Sequence, residues 1–219
     1  ARMFDSSLPA AGTLKAQLHL SGRTDNLAGS ASLEGENLSL YRESPGRLDV
    51  SLRLEGNEIR SQKCTLLQDP ANPASGRVDA EFAYALDSGR FQFQATGKDL
   101  WLREIALWSR IPVQGTWNLN ASGSGTFEQP SVDVKAESGE LRVKQRPLGP
   151  VLLTAALRNR ELRLEAAAPR LQVHSAALVS VAAPYPFSGE LHIANPDLAS
   201  IGIKAANGQT LMGANEADI

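Results

Sequence analysis

Three histidines and one cysteine are the side chains of this chain best suited to bind a metal or act as a nucleophile. His19, His174 and His192 each lie alone in segments whose pattern predicts strands, without Cys, Asp or Glu at metal-ligand spacing. Cys64 has no second cysteine, which excludes an internal disulfide and a multi-cysteine metal site. We therefore interpret the histidines as solvated or hydrogen-bonded strand residues, and Cys64 as a small buried residue.

One glycine-rich segment has the composition of a phosphate-binding loop. Gly123-Ser124-Gly125-Thr126 precedes a predicted strand, however, whereas such a loop needs a helix N-terminus after it. The sequence contains no Gly-x-Ser-x-Gly elbow, Walker loop, dinucleotide fingerprint or His-Glu-x-x-His motif. It therefore predicts no catalytic residue, no cofactor and no metal, and we expect the protein not to be an enzyme.

The distribution of charge bears on two classes of partner. Among 219 residues the net charge is −2, and basic and acidic residues are interleaved along the whole length. A nucleic-acid-binding protein or a polybasic membrane anchor would show a basic cluster, and the sequence has none. We therefore expect no nucleic-acid partner.

Apolar residues alternate with polar ones throughout the chain. In the segment from Arg47 to Glu55, for example, Leu48, Val50, Leu52 and Leu54 fall on one face. Strict alternation is typical of antiparallel sheets that have one dry face and one wet face. It predicts an all-β fold with about seven strands in each half of the chain.

The sequence also repeats itself. Residues 8–13 return as residues 111–116, so that Pro9 corresponds to Pro112, 103 residues later, and Ser21-Gly22 returns at Ser124-Gly125 with the same offset. Repetition of whole β-rich units is typical of extended architectures in which many strands build one functional surface.

Two segments break the alternation. Asp99–Arg110 and Asp197–Ala206 are related by an offset of 98 residues, and both patterns predict short amphipathic helices, the first with Asp99 as its N-cap. We therefore divide the chain into a first repeat unit (1–98), a second unit with its preceding and trailing helices (99–213) and a tail (214–219). Such a chain is expected to be an internal segment of a longer repeat protein.

The dry faces of so many strands need a partner. The sheet can fold against a second sheet as a sandwich, close as a barrel, or curl into a trough whose lining meets an apolar ligand. Aromatic residues make up only 5% of the chain, whereas a membrane barrel needs aromatic girdles. The alternation alone leaves the sandwich and the trough open.

Residues 111–136 carry a resemblance to a known family. They read as Pro-Val-x-Gly, an alternating strand, Gly-x-Gly-Thr-x-x-x-Pro-x-Val and a second alternating strand, which resembles the repeat of the TamB and AsmA-like proteins of diderm bacteria. The first unit is a looser copy, with Leu27 where the second has Pro130. The resemblance implies an elongated, curved antiparallel sheet, a β-taco trough with a hydrophobic interior, made of two repeat units with short helices between them.

The resemblance also implies a function. It implies an internal segment of a periplasmic protein, anchored in the inner membrane, whose groove conducts phospholipids to the outer membrane. It further implies a TamA-type outer-membrane barrel partner and a contribution to outer-membrane protein assembly. The alternative left open by the residues is a β-sandwich interaction or adhesion module without a ligand groove. In either case we expect exposed edge strands to favour self-association.

Alternation and resemblance together predict which side chains meet phospholipid acyl chains. Twelve residues are predicted to line the groove: Leu18, Leu33, Val50, Leu52, Phe82, Phe93, Leu119, Val134, Leu153, Leu157, Leu164 and Leu191. Trp101 and Trp108, on the predicted helix between the units, are predicted to cover it.

Overall fold

The computed structural model describes residues 10–23, 26–40, 43–72, 75–101, 113–143, 146–183 and 185–194. These residues form fifteen strands and one 3-10 helix, Pro169–Leu171. The strands are β1 Ala10–Arg23, β2 Asn26–Leu40, β3 Glu43–Glu55, β4 Glu58–Leu67, β5 Arg77–Ala85, β6 Arg90–Trp101, β7 Val113–Gln114, β8 Thr116–Thr126, β9 Pro130–Ser138, β10 Leu141–Val143, β11 Arg146–Gly149, β12 Leu152–Arg158, β13 Glu161–Ala168, β14 Val173–Ser180 and β15 Phe187–Ile193. The predicted all-β fold is confirmed.

Twelve of these strands form one open, curved, antiparallel sheet in the order β1-β2-β3-β4-β5-β6-β8-β9-β12-β13-β14-β15. The remaining three are short and form a separate sheet in the order β11-β10-β7. Each strand of the large sheet pairs with the next one along the chain, apart from these excursions. Within the described part of the chain, no second large sheet faces the first, so these strands do not form a sandwich.

The turns follow from residues that tolerate positive φ. Gly56 (φ 58°) lies in the turn between β3 and β4, and Gly89 (φ 63°) lies in the turn between β5 and β6. Asn159 and Arg160 both have positive φ, 50° and 64°, between β12 and β13. Two consecutive residues with positive φ match the twist of a two-residue hairpin, which accounts for that tight connection.

The predicted repeat has a structural counterpart at the offset of 103 residues. β1 corresponds to β7 plus β8, β2 to β9 plus β10, and β3 to β11 plus β12. Glycines at equivalent positions share similar positive φ values, namely Gly12 and Gly115 (137° and 153°), Gly22 and Gly125 (106° and 121°), and Gly46 and Gly149 (78° and 81°). Among the described residues each unit contributes six strands to the large sheet, against the seven per unit that we predicted.

The helix predicted to begin at Asp99 is wrong at its start. β6 continues to Trp101, and Asp99 has φ 51° at a break in the β6–β8 register, so it is a strand residue and not an N-cap. The predicted unit boundary between residues 98 and 99 also falls within β6. The rest of that helix, the helix predicted at 197–206 and the tail at 214–219 lie outside the described residues.

A pair of glycine substitutions tests the close backbone approach at Gly46. A Cβ at Gly46 would overlap the backbone carbonyls of Leu67 and Gln68, whereas a Cβ at Gly56 would meet nothing within 4 Å. Both positions have positive φ, so both Gly→Ala changes carry the backbone cost of about 1 kcal/mol. We expect Gly46→Ala to lower the free energy of unfolding by about 3 kcal/mol or more, measured in urea, because of the added overlap. Equal losses for the two variants would contradict this geometry.

Candidate functional site: the apolar face of the sheet

Apolar residues lie on one face of the large sheet, from one edge strand to the other. Directly paired residues of neighbouring strands point to the same side of a sheet. One set of such pairs, which we call the apolar row, crosses all twelve strands. It consists of Leu14, Gly35, Leu48, Leu66, Val78, Gly97, Leu119, Ala136, Leu153, Ala166, Ser175 and Leu191. Ser175 is its single polar member.

The neighbouring row, one residue away along each strand, lies on the opposite face. This polar row consists of Lys15, Glu34, Asp49, Thr65, Asp79, Thr96, Asn120, Lys135, Thr154, Glu165, Ala176 and Glu190. Ala176 is its single apolar member. The register thus keeps apolar and polar side chains on opposite faces of the sheet across about 50 Å, the width of twelve strands spaced about 4.8 Å apart.

All twelve residues predicted to line a groove lie on the apolar face. Leu119, Leu153 and Leu191 belong to the apolar row itself. The other nine lie on the same face through pairs such as Leu33 with Val50 and Phe82 with Phe93. The structure therefore brings the set together on one surface. Contact of that surface with lipid remains a prediction.

Of the two tryptophans predicted to cover the groove, the structure describes only Trp101. Trp101 is the last residue of β6 and pairs with Thr116, whereas its neighbour Leu100 pairs with Trp117 on the apolar face. Because successive strand residues point to opposite faces, Trp101 lies on the other side of the sheet, and the prediction for it is wrong. Trp108 lies outside the described residues.

The apolar face is not covered by any other described element. In the described part of the chain, the buried apolar residues are Trp117, Leu141 and Ala168, and no side chain is less than 2% exposed. Leu18 on the edge strand is 66% exposed. Three apolar positions on each of twelve strands span on the order of 700 Å², which exceeds the apolar patches common on monomers. Such a surface is typical of an interaction site.

Glycines on this face are covered by large neighbouring side chains. The ring of Phe93 lies over Gly123 on the paired strand, where an added Cβ would be 2.9 Å from Phe93 Cζ. In the same way, an added Cβ at Gly35 would be 2.9 Å from Leu38 Cδ1. Large side chains thus lie along the sheet, where they shield backbone that no second layer protects.

An aromatic cluster occupies one end of β5, β6 and β8 on this face. The ring centroid of Phe91 is 5.4 Å from that of Phe127 and 6.3 Å from that of Phe93, and Tyr84 is 5.9 Å from Phe127. Phe127 is 78% exposed. Phe127 is not among the predicted lining residues, because it follows β8 in a turn, where the strand ends. The one signal that could have identified it is its even spacing from Leu119, which puts it in phase with the apolar face.

The polar face is held by short-range ion pairs. Arg77 and Asp79 are 2.6 Å apart, Lys135 and Glu137 are 2.6 Å apart, and each pair lies two residues apart on one strand. Thr65 Oγ1 donates a hydrogen bond of 2.9 Å to Asp79. Arg77 and, more weakly, Thr65 hold the pKa of Asp79 below its ordinary value, although partial burial opposes them.

The described side chains include neither a metal-binding cluster nor an activated thiol. Among the described residues, no three or more His, Cys, Asp or Glu side chains are grouped so that they could hold a metal ion. Cys64 pairs with Val50 and so lies on the apolar face. Burial, followed by the charge of Asp79, raises the pKa of its thiol, which disfavours the nucleophilic form.

Comparison with known proteins adds no relative. No family model matches the chain, and neither a curated protein nor a solved structure matches it. The described residues include no helix long and apolar enough to span a membrane.

A double-mutant cycle can test the contact between Phe93 and Gly123. We expect Phe93→Ala to lower the free energy of unfolding by about 2 kcal/mol, less than for a fully buried Phe, and Gly123→Ala by about 1 kcal/mol because of crowding. The double variant should lose about 1 kcal/mol less than the sum, because the new methyl group then has room. Gly139→Ala is the control, since its Cβ would meet nothing closer than 3.8 Å. Additive losses would contradict the stacking of Phe93 on Gly123.

The Asp79 contacts predict a pH dependence. A carboxyl whose pKa is lowered in the folded state stabilises the fold above the pKa of the unfolded chain, about 4, and this contribution is lost as the pH falls through the folded value. We expect Asp79→Asn to lower the free energy of unfolding by less than about 1 kcal/mol at pH 7, because the side chain is half exposed. Urea titrations at pH 7 and pH 2.5 should show that difference shrinking at the lower pH. A pH-independent difference would contradict the role of the charge.

Proposed function

We propose that the apolar face binds lipid acyl chains along its whole width, and that the protein is a non-catalytic lipid conduit. The observation that carries this proposal is the apolar row, which runs from Leu14 to Leu191 with one polar interruption and without cover among the described residues. A pocket for one small ligand would be local and enclosed, whereas this surface is continuous and open.

The energetics suit acyl chains. Burial of a CH₂ group contributes about 0.8 kcal/mol, so a sixteen-carbon chain fully removed from water would gain on the order of 12 kcal/mol. An open face covers one side of the chain, which reduces the gain to roughly half of that value before the costs of ordering. Binding of this strength holds a lipid without trapping it, as movement along a surface requires.

The chemistry of the face also suits a ligand of low specificity. Its side chains are mostly Leu, Val, Ala and Phe, and the apolar row contains no charged residue. Lipid head groups can remain in water beside an open face, so no charged binding site for the head group is needed. We infer that many phospholipids bind equally well.

The biological setting follows from the resemblance to the TamB and AsmA-like proteins. In that setting the chain is an internal, periplasmic segment of a protein anchored in the inner membrane, and its apolar face passes phospholipids to the outer membrane. A TamA-type barrel is then the partner, and outer-membrane protein assembly is a second role. The alternative, a sandwich-type adhesion module, needs a second sheet against the apolar row, and the single layer of described strands favours the conduit.

The decisive test is photo-crosslinking in cells, with the crosslinker placed on either side of the same strand. Val50 and Leu153 lie on the apolar face, and their chain neighbours Asp49 and Thr154 lie in the polar row. We expect phospholipid adducts, identified by mass spectrometry, at Val50 and Leu153 and at least tenfold fewer at Asp49 and Thr154. Adducts to protein alone, or equal lipid adducts on both faces, would refute the lipid-conduit proposal.

A further inference from the structure

The two outer strands of the large sheet are counterparts of the two strands that join its repeat units. β6, the last strand of the first unit, pairs with β8, the first strand of the second unit in the sheet. β1 corresponds to β8 at the offset of 103 residues, and β15 takes the place of β6 in the second unit. Among the described residues, neither β1 nor β15 has a strand paired on its outer side.

The pairing pattern fixes how β6 maps onto β15. Glu58 pairs with Ala85 in the first unit, and Glu161, its counterpart, pairs with Ser180 in the second. One residue further along, Tyr84 pairs with Phe91, and correspondingly Val179 pairs with Phe187. Phe187 is therefore the counterpart of Phe91, and the rest of β15 follows from it.

We propose that β15 of one copy of this chain pairs antiparallel with β1 of a second copy, in the register that joins β6 to β8. Phe91 lies opposite Gly125 within the chain, so Phe187 lies opposite Gly22 between copies. Leu191 then lies opposite Leu18, as Ala95 lies opposite Ala121. The apolar face continues from one copy to the next without a break.

Exposure at the two edges supports this pairing. Phe187 is 83% exposed, whereas its counterpart Phe91, which lies beside β8, is half-buried. Leu14 is 61% exposed, whereas its counterpart Trp117, which lies beside β6, is 8% exposed. The same repeat positions are thus covered where the other unit lies beside them and exposed where it does not.

The opposed residues are also compatible. On the apolar face Gly189 would lie opposite Leu20, which repeats the arrangement of a large side chain over a glycine seen for Phe93 and Gly123. On the polar face Glu190 would lie opposite His19, and His192 opposite Gln17. No two residues of like charge oppose each other in this register, so charge does not resist the contact.

The contact joins two different edges, and this determines the kind of assembly. A heterologous contact leaves β1 free on one outer copy and β15 free on the other, so it propagates as a linear series and does not stop at a dimer. The proposal does not depend on lipid binding, because it follows from the strand pairing alone. It concerns the 219-residue chain by itself. Where this chain is part of a longer repeat protein, adjoining repeat units take the place of the second copy in the same register.

Disulfide trapping of mixed chains tests the register directly. In a Cys64→Ser background, one chain carries Leu18→Cys and the other, with a mass tag, carries Leu191→Cys. Opposed residues of antiparallel strands lie about 4.5–5.5 Å apart at Cα, within the range that a disulfide spans. We expect a mixed disulfide dimer, and at least tenfold less of it when Leu14→Cys replaces Leu18→Cys, because Leu14 lies on the same edge and face four residues away.

Each other result of that experiment counts against the proposal. Disulfides between two Leu18→Cys chains would indicate pairing of two β1 edges instead. Equal trapping through Leu14→Cys would indicate contact without register, and no trapping would indicate that the edges do not meet.

Sedimentation velocity over a range of concentrations provides a second measurement. The unmodified chain should show a concentration-dependent series of oligomers. Leu18→Lys should raise the dissociation constant at least tenfold by placing a charge at the edge, whereas Leu86→Lys, an exposed change in the β5–β6 turn, should leave it unchanged. A chain that stays monomeric at the highest concentrations, or equal effects of the two variants, would overturn the proposal.

Discussion

The structure depends on one constraint, which is that strands alternating with a period of two pair in a constant register. A slip of one residue between any two strands would move every apolar side chain beyond that point to the wet face. The apolar row crosses eleven strand pairs, and none of the register shifts along the way exchanges the faces. Turns with defined geometry, such as that at Asn159 and Arg160, hold the register between hairpin strands.

That constraint yields a sheet whose apolar side packs mainly within its own layer. Without a facing layer, side chains gain contact by lying along the sheet, as Phe93 does on Gly123 and Leu38 does over Gly35. The buried Trp117 and Leu141 belong to the region where the short strands β7, β10 and β11 begin or end. Lateral contacts of this kind stabilise a layer without closing it, so one large surface stays accessible.

Much of this fold could be predicted from the sequence because its determinants are local. Alternation depends only on neighbouring residues, and it placed all twelve predicted lining residues on one face. The repeat offset depends on residue identity, and glycines related by it share positive φ in the structure. Trp101 could not be predicted in this way. The amide of Gln68, 33 residues earlier, donates to Trp101 O at 2.8 Å and accepts from Trp101 N at 2.7 Å, and so extends the strand. Asn118 Oδ1 likewise accepts from the backbone N–H of Asp99. The choice between one layer and two is also non-local, which is why alternation left it open.

The same openness that suits a conduit carries a risk. Exposed apolar faces and unpaired strand edges both favour uncontrolled association. This sheet has both features, and the exposed leucines of β1 lie where the two meet. A ligand bound along the apolar face would cover the first feature, and a strand paired with the edge would cover the second. Because the edge hydrogen bonds lie in the plane of the sheet and the apolar side chains project out of that plane, a ligand on the face does not block a strand at the edge. A sheet of this design can therefore grow by adding strands while its apolar surface stays available along the whole length, which a sandwich or a closed barrel cannot do.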